Sequence, residues 1–182
     1  MKHYLSIPSP FGAMLLRAED DALTGLYFVG QKYFPPDAPN VPNAASMPRA
    51  APPRVLAESA EQLAEYFAGE RQRFTVRLQM AGSTFQRRVW SELVKIPFGE
   101  IASYGQLALR LGLPAGSARA VGAANGRNPV SIIVPCHRVI SSTGELTGYA
   151  GGLERKAGLL ALERPAAALP RQLELLDAQG VQ

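Results

Sequence analysis

The stretch SYGQLALRLGLPAGSARAVGAANG, Ser103 to Gly126, decides how the chain is read. Ser103 is placed to cap a short helix from Tyr104 to Leu111, which Gly112 and Pro114 break. Ser117 is placed to cap a second, Ala118 to Asn125, which stops at Gly126 and Pro129. Helix, short glycine-containing turn and helix make the helix-turn-helix pattern, whose second helix enters the major groove in DNA-binding proteins. The same pattern also serves as a plain packing unit, so it does not name a partner by itself.

Toward the N-terminus the chain changes character. Tyr4–Ile7, Gly12–Arg17 and Leu23–Val29 are short, partly alternating and bounded by turn residues, which predicts three antiparallel strands. Asp20-Asp21 reads as the hairpin turn between the second and third. Residues 35–53 are rich in proline, alanine and asparagine and predict a loop. Apolar residues at 55, 56, 60, 63, 64 and 67 predict an amphipathic helix ended by Gly69. Phe74–Leu78 alternates and predicts a strand returning to the sheet. Thr84 would cap a helix over Phe85–Val94, stopped by Pro97 and Gly99.

Downstream of the helix-turn-helix, Ile132-Ile133-Val134 is a short buried run, Ser141–Gly152 a glycine-rich loop and Glu154–Glu163 a final helix. The fold class is therefore α/β in two parts. Residues 1–80 form a small antiparallel sheet plus helix, residues 81–164 a helical domain with the helix-turn-helix, and residues 165–182 a loosely attached tail.

Composition narrows the function. The content of Ala, Val, Ile, Leu, Met, Phe, Trp, Tyr and Cys, 47%, suits a globular protein with a core. No apolar run approaches the roughly 20 residues of a membrane helix, and Met1–Leu5 opens no signal-peptide core. A cytoplasmic protein without a membrane partner is expected. The net charge of +4 is unevenly spread. Residues 1–80 carry 8 basic and 8 acidic side chains, residues 81–164 carry 10 and 5, and residues 165–182 carry 1 and 2. The basic excess lies in the helical half, compatible with a polyanionic partner.

That half also holds the only cysteine, Cys136. A lone cysteine excludes intramolecular disulfides and multi-cysteine zinc sites, and by itself it is most often a small buried hydrophobe. Its setting, Pro135-Cys136-His137-Arg138, makes it a candidate nucleophile. A thiol attacks as thiolate, so a basic group must lower its pKa or take its proton. In an extended segment, adjacent side chains point to opposite faces, so His137 would reach the sulfur through a water or a tight turn. An imidazole base needs a partner to fix its tautomer. Glu145, Glu154 and Glu163 are the nearby carboxylates, and Glu163, late on an apolar helix, is the attractive one. Cys-His-Glu also suits a cysteine hydrolase. Against that stand the adjacency of histidine to cysteine and the preceding helix-turn-helix.

From about residue 83 to 163 the chain closely resembles the O6-alkylguanine-DNA alkyltransferases. The matching strings are Phe85-Gln86 with Val89-Trp90, Ile96-Pro97-Phe98-Gly99-Glu100, Ser103-Tyr104-Gly105 and Ala118-Arg119-Ala120-Val121-Gly122. Asn128-Pro129, Ile133 to Ile140 and Gly148-Tyr149-Ala150-Gly151-Gly152-Leu153 complete them. The first eighty residues match only in general character, and the resemblance implies a ribonuclease H-like fold there.

The resemblance implies direct-reversal DNA repair. An alkyl group would pass irreversibly from O6 of guanine in double-stranded DNA to Cys136, one per molecule, with O4-alkylthymine a further candidate substrate. His137 would be the base through a water, with Glu163 holding the imidazole. Asn128 would tie the helix-turn-helix to the active-site segment. Arg119 would enter the base stack in place of a flipped nucleotide, and Tyr104 would drive the flip and hydrogen-bond the base. Ser142, Tyr149, Ala150 and Gly151 would wall the guanine pocket. Ala150 stands where some relatives have serine, and a backbone N–H can make that contact.

The zinc site of some relatives is not expected, since residues 1–80 have no cysteine and one histidine, His3. No cofactor or metal is expected, and self-association along DNA is left open. The alternative from another class is a damage-sensing DNA-binding protein that transfers nothing.

Overall fold

The structure, a computed structural model, describes residues 1–39 and 51–164. Most of the proline-rich segment and the tail from 165 on lie outside the described residues. The chain divides into two compact units, one of residues 1–83 with 129–133, the other of residues 84–128 with 134 onward. Among the described residues no helix is long and apolar enough to cross a membrane.

The first unit is built on a three-stranded antiparallel sheet, β1 (Lys2–Ile7), β2 (Met14–Glu19) and β3 (Ala22–Phe28), in that order. Asp20 and Asp21 form the two-residue turn between Glu19 and Ala22, with Asp20 at φ +51°, a conformation aspartate tolerates by bonding locally. Every residue of β3 is buried, although β3 ends the sheet. Its outer edge is closed by two short pieces of backbone. Leu23 N–H donates to Arg77 O and its carbonyl accepts from Gln79, while Leu26 N–H donates to Pro129 O and its carbonyl accepts from Ser131. An edge strand with its groups so satisfied cannot template further pairing.

Helix α1 (Arg54–Phe67) packs on this sheet. Gly69, at φ +78°, ends it, its N–H donating to Tyr66 O while Glu70 N–H donates to Glu65 O, a glycine-dependent cap. The buried face is Val55, Leu56, Ser59, Gln62, Leu63 and Tyr66. The expected Ala64 is exposed, and Ala60 and Phe67 are only half-buried. Polar Ser59 and Gln62 take the inward places because both are bonded: Ser59 Oγ donates to Val55 O at 2.6 Å and Gln62 Nε2 to Thr75 Oγ1 at 2.8 Å.

The same glutamine corrects the expected strand at Phe74–Leu78. Thr75 N–H donates to Gln62 Oε1 at 2.9 Å, so it is withdrawn from any ladder. Only Leu78 bridges the sheet, in parallel, to Leu23.

The second unit contains α2 (Thr84–Leu93), α3 (Tyr104–Arg110), α4 (Ala118–Gly126) and α5 (Leu153–Glu163). Two short strands, β4 (Ala102–Ser103) and β5 (Val139–Ile140), pair in parallel. Thr84 is the first helical residue of α2 rather than its cap. Trp90 is buried and joins α2 to α4 through Nε1–H to Ala124 O at 2.9 Å.

Ser103 caps α3 in a full capping box. Its hydroxyl accepts from Gln106 N–H at 3.1 Å and Gln106 Oε1 accepts from Ser103 N–H at 2.8 Å. Ser117 precedes α4 but does not cap it. Its own backbone is helical there, and its hydroxyl instead donates to Pro114 O at 2.7 Å. Gly112 and Gly116, both at positive φ, carry the turn between the helices.

Candidate active site

Two γ-turns shape the approach to the cysteine. Ile132 stands at φ +68° with Ile133 N–H donating to Ser131 O. For a β-branched residue this is the rare and strained kind of γ-turn. Pro135, at φ −82° and ψ 63°, makes the easier inverse kind, in which Cys136 N–H donates to Val134 O at 2.8 Å.

The chain then winds one 3-10 turn over Cys136–Arg138. This corrects the extended segment assumed from sequence. Successive side chains on a 3-10 turn diverge by a third of a revolution rather than pointing to opposite faces. All three side chains of the turn are buried.

Cys136 is 4% exposed. Its Sγ accepts from Asn128 Nδ2 at 3.0 Å, and the same amide donates to Val134 O at 2.8 Å. Asn128 thus joins the residues after α4 to the nucleophile segment. Asn125, at the end of α4, adds a bond from Nδ2 to Cys136 O at 3.4 Å. Burial pushes the Cys136 thiol above its ordinary pKa. The Asn128 hydrogen bond, the Lys156 charge and the backbone N–H groups of Cys136 and His137 oppose that rise without cancelling it. The thiol is therefore at rest as S–H, and its activation requires removal of a proton.

His137 is wholly buried, with Nε2 2.7 Å from Glu163 Oε1. Nδ1 has no hydrogen-bond partner among the described residues. A carboxylate on Nε2 favours the tautomer with the proton there, leaving the Nδ1 lone pair as acceptor. Burial lowers the pKa of the imidazole, and contact with Glu163 only partly restores it.

Glu163, the last residue of α5, is also gripped by Arg138. Nε donates to Oε2 at 2.7 Å and NH2 to Oε1 at 2.9 Å, while NH1 donates to Ile96 O at 2.6 Å. Burial would raise the Glu163 pKa, but the bonds and charges of His137 and Arg138 outweigh it and hold the carboxyl well below the usual range. The arrangement is an ionised Arg138–Glu163 pair with a neutral imidazole on it.

The structure adds two residues that the sequence does not single out, Arg138 and Lys156. Lys156 is wholly buried, its Nζ donating to Val139 O at 2.5 Å and Thr147 O at 2.7 Å. Burial lowers its pKa to about 8, against the attraction of Cys136. Its spacing offered a signal: Lys156, Leu160 and Glu163 follow i, i+4, i+7 on one helix face.

A cleft of about 440 Å³ opens nearby, lined by Tyr104, Gly105, Ala118, Arg119, Gly122, Ser141, Ser142, Thr147 and Gly148. The Tyr104 hydroxyl donates to Thr147 O at 3.0 Å, and burial raises its pKa. Gly122 and Gly148 matter for space. A Cβ on Gly122 would lie 3.6 Å from the Tyr104 ring, and one on Gly148 3.3 Å from its hydroxyl. Arg119 is exposed on α4. The structure thus brings Tyr104, Arg119 and Ser142 to one cleft. Tyr149, Ala150, Gly151 and Cys136 are not among the residues lining it; Tyr149 and Gly151 are buried and Ala150 half-buried.

Fold and site together define a helix-turn-helix protein carrying one buried thiol next to a histidine–carboxylate–arginine cluster. The chain belongs to the 6-O-methylguanine DNA methyltransferase family. Residues 84–165 match that family's DNA binding domain and residues 2–80 its ribonuclease-like domain. It is 49% identical over 177 residues to a methylated-DNA–protein-cysteine methyltransferase of Mycolicibacterium paratuberculosis, covering 97% of this chain and 100% of the relative. The constitutive enzyme of that name from Bacillus subtilis is 43% identical over 165 residues, 90% of this chain and 96% of its own.

Among solved structures, the Mycobacterium tuberculosis O6-methylguanine methyltransferase matches with a TM-score of 0.76 at 45% identity, over 97% of this chain and 100% of that one. The same organism's OGT in complex with DNA matches with a TM-score of 0.76 at 43% identity, over 96% and 99%.

Proposed function

We propose that this chain repairs DNA by direct reversal, transferring the alkyl group of an O6-alkylated guanine to Cys136. The observation that carries the reading is the buried thiol on its 3-10 turn, bonded to Asn128 and followed by an imidazole whose Nε2 is tied to Glu163. A water between Nδ1 and the sulfur passes the thiol proton to His137. The thiolate attacks the alkyl carbon, the C–S bond forms, and the C–O bond breaks with its electron pair remaining on guanine O6. The guanine takes up a proton and leaves repaired. The thioether has no facile return, so each molecule acts once.

An alkyl group on a base edge is out of reach inside a duplex, so the nucleotide must leave the stack, at a cost of a few kcal/mol that is least for a poorly paired base. The cleft beside α4 is the receiving pocket. Tyr104 and Ser142 line it, and the exposed Arg119 of α4 would fill the gap left in the stack. O4-alkylthymine, with its alkyl oxygen in a similar position, is a second candidate substrate. Assembly of several copies along one duplex is a separate property, readable from binding stoichiometry.

Intact-mass measurement after incubation with a duplex holding one O6-methylguanine tests the reading. The expected result is one added CH₂ unit per chain, absent in Cys136→Ala. Binding with unchanged protein mass would favour a damage sensor instead.

A further inference from the structure

We propose that Arg138 is a positioning residue for the transfer, one that neutralises Glu163 and so keeps His137 a neutral base with its proton on Nε2. The inference rests on the reading of His137 as the base and adds what sets its state. The charged and titratable groups around the imidazole are Glu163 and Lys156 from α5, with Cys136 and Arg138 from its own turn. Glu163 is the one anion among them at rest.

A buried carboxylate 2.7 Å from an imidazole would, if otherwise unpaired, draw a second proton into the pair. That proton would sit on the ring, making imidazolium, or on Glu163, turning Nε2 into an acceptor and moving the ring proton to Nδ1. Either outcome removes the Nδ1 lone pair that takes the thiol proton. Arg138 prevents both. Its fork engages both oxygens of Glu163, and its third bond, to Ile96 O, fixes the guanidinium from the opposite side. The planar bidentate fit is one lysine cannot reproduce. Phe98, its ring centroid 5.9 Å from the guanidinium carbon, covers the pair.

The test uses a His3→Gln background, in which His137 is the only imidazole of the chain. Ring nitrogen NMR of the full chain should find the neutral Nε2–H tautomer between about pH 6 and 8. Arg138→Met should move the acid limb of the methyl-transfer rate up by about 1 to 3 pH units, with the ring protonated or switched to Nδ1–H. Arg138→Lys should return the limb toward its original place while leaving the rate below that of the parent.

A slower Arg138→Met with an unmoved limb would reduce the arginine to scaffolding and overturn the proposal. So would imidazolium, or an Nδ1–H ring, in the parent protein near neutral pH, a result that does not depend on any variant folding. Undiminished transfer by His137→Gln would instead overturn the underlying base reading, which the ring spectrum tests separately.

Discussion

At the scale of single residues, the thiol is held in reserve. Burial raises the Cys136 pKa despite Asn128 and Lys156, so in the DNA-free protein iodoacetamide should react more slowly than with an exposed thiol at neutral pH. Rates matching an unhindered cysteine would contradict this. Lys156→Met should slow reaction further, because it removes a buried charge that lowers the Cys136 pKa and leaves the carbonyls of Val139 and Thr147 without that donor.

Glu163 should also govern acid stability. Its folded pKa is depressed, so its stabilising contribution is complete above the unfolded value, about 4.3, and drains away as pH falls through the carboxylate range toward the folded one. His137 acts in the same direction: its folded pKa is lowered, so the unfolded chain gains the proton first on acidification. Glu163→Gln should cost about 3–5 kcal/mol near neutral pH, since Arg138 keeps a buried charge without its counter-ion. It should also flatten the acid limb of a stability–pH curve, measured by urea unfolding. An acid limb as steep as the parent's would contradict the assignment.

Much of this chemistry was legible in the sequence. Cys136 with His137 adjacent, and Glu163 on the last helix, stand out from the sequence alone. Arg138 carries no such signal and Lys156 only its helical spacing with Glu163, because their burial depends on acceptors that only folding assembles. Ile96 O lies 42 residues from Arg138, and Val139 O lies 17 from Lys156.

At the scale of elements, a local signal holds only where no competing acceptor or donor, near or far, takes the group it depends on. Ser103 and Gln106 stand three apart, and their capping box forms. Phe74–Leu78 alternates like a strand, yet Thr75 gives its N–H to Gln62, 13 residues away. Ser117 looks like a cap but bonds backward to Pro114. The two serines should therefore respond differently. Ser103→Ala should cost about 1 kcal/mol, whereas Ser117→Ala should change stability by less, both by thermal or urea unfolding. Gly148→Ala should narrow the cleft as well as strain a position at φ +59°. Slower methyl transfer with near-unchanged affinity for undamaged DNA is expected.

At the scale of the whole molecule, division of labour follows the charge. The basic excess lies in residues 81–164, the stretch that holds the helix-turn-helix, the cleft and the thiol. Binding to duplex DNA should weaken linearly in log–log terms as salt rises, because each phosphate contact releases counterions. A flat response would argue against duplex DNA as the partner. Arg119→Ala should reduce transfer from duplex far more than from single-stranded substrate, where no stack needs filling.

The proposed reaction consumes the protein, at one atom. Titrating it with excess duplex carrying a labelled O6-methyl group, then mapping the labelled peptide, tests this most directly. Label should plateau at one methyl per chain, all of it on the sulfur of Cys136. Turnover beyond that plateau, or label on any other residue, would contradict the account.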